Sequence, residues 1–154
     1  MERGSCRLLG MAAFETTTEF DASANYVFGE IADYTKAELW NPAYVSVDQV
    51  DGNGAHLGAR YAVIFTFYGR QFDLEYEVVD FVAGERLVLE ASSRRVQARD
   101  EIVVKQNGAG SLVHRSAEFA FTGPLRLLDG GLQVAFESMS KRAAVNMAEQ
   151  LSAA

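Results

Sequence analysis

From Ala13 to Phe20 every second residue shares a side, with Phe14, Thr16, Thr18 and Phe20 on one face and Glu15, Thr17 and Glu19 on the other. A period of two is that of a half-buried strand. Ser23 or Asp21 is then placed to cap a helix that carries Val27, Phe28 and Ile31 at helical spacing. A second short helix is expected over Thr35–Leu39 and ends at Trp40-Asn41-Pro42, because the residue before proline avoids helical geometry.

Alternation returns at Tyr44, and turn chemistry sets the register. Asp51-Gly52-Asn53-Gly54 closes a first hairpin. Gly69-Arg70 fits a two-residue turn with glycine at its first central position. That turn pairs Tyr68 with Gln71, Phe67 with Phe72, Phe65 with Leu74, Val63 with Tyr76 and Tyr61 with Val78. Turns at Ala83-Gly84, Ser92-Ser93-Arg94 and Asn107-Gly108-Ala109-Gly110 bring three further inward sets: Leu87 and Leu89; Val96, Ala98, Asp100, Ile102 and Val104; and Val113, Arg115, Ala117, Phe119 and Phe121. Turns placed independently thus agree on one apolar face, and a one-residue slip at any of them would turn that strand's set to solvent. Gln71, Asp73, Glu75 and Glu77 make the opposite face acidic and therefore wet.

The period changes once more from Pro124 to Leu151. Leu125, Leu128, Leu132, Phe136, Met139, Ala143 and Gln150 recur every three or four residues, with Arg126, Glu137, Lys141 and Ala148 opposite. A helix of this length spans roughly 40 Å and needs a wide partner. The apolar sheet face is that partner, so the pattern predicts an antiparallel sheet, wet on one side and covered on the other by the terminal helix.

Composition narrows the function classes. A chain of 154 residues suits one domain, and 49% apolar residues give ample core. Net charge −7 argues against nucleic acid and anionic membranes as partners. One cysteine, Cys6, excludes an intrachain disulfide and suits a reducing compartment. No stretch has the length of a secretory signal or a membrane span, so a cytoplasmic protein without stable membrane insertion is expected. Residues 1–11 read as a flexible extension, with Met11 a candidate start, and 12–154 as one domain.

The opening strand into SANYVFGEIADYTKAELWNP, the strand GERLVLE after a glycine turn, and EFAFTGPLRLL leading into the last helix resemble the START-like superfamily. That group is also called SRPBCC; it includes polyketide cyclase/dehydrase and lipid-transfer proteins and the birch pollen allergen fold. The resemblance spans Ala12 to Leu151. It implies an α+β helix-grip fold: a curved seven-stranded antiparallel sheet around a long C-terminal helix, with two short helices between strands 1 and 2. It also implies a deep apolar cavity between sheet and helix, with the Trp40-Asn41-Pro42 turn beside its mouth. Fold-level likeness alone does not give activity.

Four inward residues carry polar atoms: Tyr61, Tyr76, Asp100 and Arg115. Arg115 is expected opposite Ile102 and one diagonal step from Asp100, a distance that long side chains reach. A charge on an apolar face must be paired. The pair reads either as a structural ion pair or as an anchor that orients a ligand, with Asp100 the candidate general base. Trp40 reads as a plug or as a lid, with Tyr34 and Tyr44 extending an aromatic rim. Phe136, Met139 and Met147 read as ordinary core or as an adaptable pocket wall. Asn146 and Gln150 fall on the same side, and Gly130-Gly131 implies a fray, a kink or a close approach to the sheet. The candidate ligand-binding set is Trp40, Tyr61, Phe65, Tyr76, Leu89, Asp100, Arg115, Phe119, Phe136 and Met139.

Other motifs carry little. Gly52–Gly58 resembles a dinucleotide loop, but a strand follows it, so no helix N-terminus holds a pyrophosphate. His56 and His114 lack zinc spacing, and no metal or other cofactor is expected. Ser5, Ser111 and Ser116 lack a nucleophile elbow. Arg94, Arg95 and Arg99 form a basic cluster, and Arg95 and Arg99 share the wet face with Glu101. The expected function is binding or transport of a small hydrophobic molecule by a monomer or weak homodimer. The alternatives are a cyclase or dehydratase using the same cavity, and an interaction or stress-response module with a vestigial one.

Overall fold

Alternation decides the sheet. The computed structural model describes residues 11–67, 69–93, 96–121 and 132–152. It contains β1 (Met11–Phe20), β2 (Tyr44–Asp51), β3 (Arg60–Phe67), β4 (Arg70–Val82), β5 (Arg86–Ser92), β6 (Val96–Asn107) and β7 (Gly110–Phe121). Between β1 and β2 lie α1 (Ala24–Ala32), a 3-10 turn (Tyr34–Lys36) and α2 (Ala37–Trp40); α3 (Leu132–Ser152) follows the sheet. The strands form one antiparallel sheet in the order β1-β7-β6-β5-β4-β3-β2, which leaves β1 and β2 at the edges. This is the helix-grip architecture.

The inward set is the expected one. Tyr61, Val63, Phe65 and Phe67 on β3, Phe72, Leu74, Tyr76 and Val78 on β4, and Val96, Ala98, Asp100, Ile102 and Val104 on β6 are all buried. Gln71, Asp73, Glu75 and Glu77 are exposed. Arg115 stands opposite Ile102, as the turn at Gly108-Ala109 requires.

The β3–β4 register differs from the expectation by two residues. Phe67 pairs with Arg70, Phe65 with Phe72, Val63 with Leu74 and Tyr61 with Tyr76. Gly69 has φ +73 and therefore takes the second central position of the turn, where the left-handed region suits glycine. A shift of two preserves the faces, because side chains alternate with period two. Tyr68 lies outside the described residues.

The helices also refine the pattern. Ser23 is the cap of α1, its hydroxyl accepting from the Tyr26 amide. The second helix runs through Trp40, with the extended residue falling at Asn41 (φ −97, ψ 107), the actual neighbour of Pro42. The first part of the expected terminal helix, Pro124 to Gly131 with its Gly130-Gly131 pair, lies outside the described residues. In α3 the inward line is Phe136, Ser140, Ala143 and Met147; Gln150 is exposed, and Ala148 is half-buried against the core rather than opposite it. α3 packs on β1 and α2.

Candidate functional site

The inner face places a carboxylate and a guanidinium in hydrocarbon, and they meet. Arg115 Nε donates to Asp100 Oδ1 at 2.9 Å and Nη2 donates to Oδ2 at 2.8 Å. Both residues are buried, Asp100 at 2% exposure and Arg115 at 6%. The two-pronged geometry fits a planar guanidinium to a planar carboxylate. Burial acts against the Arg115 charge, but Asp100 beside it more than compensates and holds the guanidinium above its ordinary range. Arg115 also lies over two aromatic rings, 5.5 Å from the centre of Phe14 and 5.0 Å from that of Trp40. Trp40 is thus buried behind the ion pair, as a plug would be.

A third donor completes the carboxylate. The Tyr34 hydroxyl donates to Asp100 Oδ2 at 3.1 Å and lies 2.8 Å from the Tyr44 hydroxyl. The Tyr76 ring packs 5.9 Å from that of Tyr34. Burial raises all three phenols above their ordinary value, and Asp100 adds to the shift in each. The three hydroxyls are therefore neutral at physiological pH. Asn41 fixes the start of β2: its side chain accepts from the Ala43 amide at 3.1 Å, and its carbonyl accepts from the Tyr44 amide at 3.1 Å. That turn aims Tyr44 at the ion pair.

Beneath α3 the network meets an aromatic wall. Phe136 packs against Phe14 at 5.0 Å and Phe119 at 5.4 Å, and Phe119 meets Phe65 at 5.0 Å. A cavity of about 30 Å³ remains between wall and network. Phe65, Tyr76, Asp100, Arg115, Phe119, Phe136 and Met139 of the expected set line it, joined by Phe14, Asn41 and Tyr44. The volume holds one or two waters, far from the roughly 300–1,000 Å³ of a formed ligand pocket. Among the described residues, aromatic side chains fill the space in which the resemblance implied a deep cavity.

Trp40, Tyr61 and Leu89 of the expected set do not line this cavity. Leu89 is fully buried on β5, opposite Asp100. Tyr61 packs its ring 5.7 Å from Tyr34, and its buried hydroxyl has no hydrogen-bond partner among the described residues. Tyr34, assigned to a rim by the sequence, is instead central and fully buried. The signal that points to it is arithmetic: a carboxylate accepts more bonds than one arginine supplies, so Asp100 called for another donor.

The sequence profile of the family described as polyketide cyclase/dehydrase and lipid transport matches residues 11–152, nearly the whole chain. The chain belongs to that family. Solved structures share the polyketide cyclase/dehydrase fold at low identity. The Zhui aromatase/cyclase from a Streptomyces species is 13% identical with a TM-score of 0.75, covering 91% of this chain and 93% of that one. A START superfamily protein from Mycobacterium smegmatis is 14% identical with a TM-score of 0.69, covering 90% and 98%. A Thermus thermophilus protein is 17% identical with a TM-score of 0.70, covering 92% and 99%. A search of curated protein sequences returns no significant match. Among the described residues no helix is long and apolar enough to cross a membrane.

Proposed function

We propose that this family member binds a small, mainly apolar molecule beneath α3, with the molecule's polar end against Tyr44 and Tyr76. The observation that supports the reading is that Tyr44 and Tyr76, together with the mutually paired Asp100 and Arg115, line a space whose other walls include Phe14, Phe65, Phe119, Phe136 and Met139. Few polar groups in an apolar surround orient a ligand without repelling it. The cavity is small in the free protein, so binding displaces side chains of α3, Met139 first, since it is unbranched and half-buried. Burying about 200 Å² of apolar ligand surface is worth about 5 kcal/mol, which offsets that displacement. The lone Cys6 and the acidic composition fit a cytoplasmic carrier, a monomer or weak homodimer.

The family description also names cyclases and dehydrases, and the same space supports that chemistry as an alternative reading. There Asp100 is an anchor rather than a base, because Arg115 and Tyr34 occupy its oxygens. Neutral Tyr44 and Tyr76 are then the groups that hold or move a proton.

Calorimetric titration with 4-ethylphenol tests the binding reading. One-to-one binding with a negative heat-capacity change is expected, and Met139→Trp, which fills the space from α3, abolishes it. Undiminished binding by that variant places the ligand elsewhere.

A further inference from the structure

Hydrogen inventory gives the polar end of the cavity a direction. Asp100 takes two bonds from Arg115 and so acts as a carboxylate, which has lone pairs and no proton to give. Tyr34 must therefore spend its single hydroxyl hydrogen on Asp100 Oδ2, 3.1 Å away. Its oxygen is left with lone pairs alone. At 2.8 Å, Tyr44 and Tyr34 share a hydrogen bond that only Tyr44 can then donate. Tyr44 has one hydrogen as well, and it points away from the cavity that Tyr44 lines. Such chains polarise one another in one sense. At Tyr44, then, the cavity meets oxygen lone pairs, while Arg115 and Asn41 line it elsewhere.

We infer that the Tyr44 end of the cavity selects molecules that donate a hydrogen bond, alcohols or phenols in preference to ethers or ketones, and that Tyr34 sets this preference from outside the cavity by holding the Tyr44 hydrogen. This rests on the binding reading above and names its ligand class. Tyr34 does not line the cavity. It is a positioning residue, acting through Tyr44.

The isomers 4-ethylphenol and 4-methylanisole separate the possibilities, since they share one formula and only the phenol donates. Calorimetry on the wild-type protein is expected to show the phenol binding about two- to tenfold more tightly, the range of one net hydrogen bond. Tyr34→Phe frees the Tyr44 hydrogen to turn toward the ligand, so the ratio falls to one or inverts. Tyr44→Phe removes the acceptor and lowers phenol affinity while sparing the ether. Equal wild-type affinities overturn the inference and leave the binding reading intact. A Tyr34→Phe protein with an unchanged ratio removes Tyr34 from it. If the wild type binds neither isomer, the binding reading fails and the selectivity with it.

Discussion

Arg115 stands opposite Ile102 in the β6–β7 ladder, yet its guanidinium closes on Asp100, whose own partner across the ladder is Ala117. The diagonal places both charges on one inward face without opposing them directly. Removing one leaves the other buried and unpaired. Asp100→Leu or Arg115→Met alone is expected to cost about 3–5 kcal/mol in urea unfolding. The double replacement is expected to cost much less than the sum, because no orphaned charge remains. Additive losses would show that the two side chains do not support one another.

Alkaline pH reports the tyrosine cluster. Tyr34 and Tyr76 are held well above the ordinary 10.0, first by burial, then by neighbouring Tyr44 and Asp100. Above that value the unfolded chain releases these protons while the folded chain keeps them. The folded state then binds more protons, so stability falls as pH rises. The contribution is complete below the unfolded value and erodes from about pH 10 upward. Urea midpoints followed from neutral into alkaline pH are expected to drop, and Tyr76→Phe is expected to flatten the drop.

The β6–β7 turn holds two glycines for different reasons. Gly108 has φ +62 with open space around it, so a side chain there meets only backbone strain. Gly110 has an ordinary φ, but a Cβ would sit 2.2 Å from the Phe20 carbonyl oxygen. Gly108→Ala is expected to cost about 1–2 kcal/mol, and Gly108→Asn less, since asparagine tolerates the left-handed region. Gly110→Ala must push the end of β1 away and is expected to cost more than either. Chemical denaturation of the three variants checks the ranking.

Phe136 is the part of α3 that fills the site. Its truncation to alanine is expected to cost about 3–5 kcal/mol and to leave a void continuous with the cavity. A void lined by phenylalanine binds small arenes and regains stability by mass action. Toluene is therefore expected to raise the melting temperature of Phe136→Ala more than that of the wild type. Equal shifts would mean that the helix collapses into the gap.

Parity made most of the architecture readable. The turn at Gly108-Ala109 sufficed to put Arg115 on the diagonal from Asp100, since a hairpin register leaves nothing free. Gly69 fits either central position of a tight turn, so the β3–β4 pairing slipped by two while every side chain kept its face. The expected inward side of the last helix held both Met147 and Gln150, and of these Met147 is buried while Gln150 is exposed. Tyr34 was hidden because a three-residue turn has no period, and only the unmet capacity of Asp100 pointed to it. Cavity size was out of reach for a different reason. It depends on how Phe14, Phe119 and Phe136 interlock, and residue order does not encode that directly.

The central claim is that the space beneath α3 opens to take one small molecule. Native mass spectra of the wild-type protein, recorded before and after addition of 4-ethylphenol, test it most directly. A one-to-one adduct that Met139→Trp does not form is the predicted result. The bare mass of the chain in both spectra would contradict it.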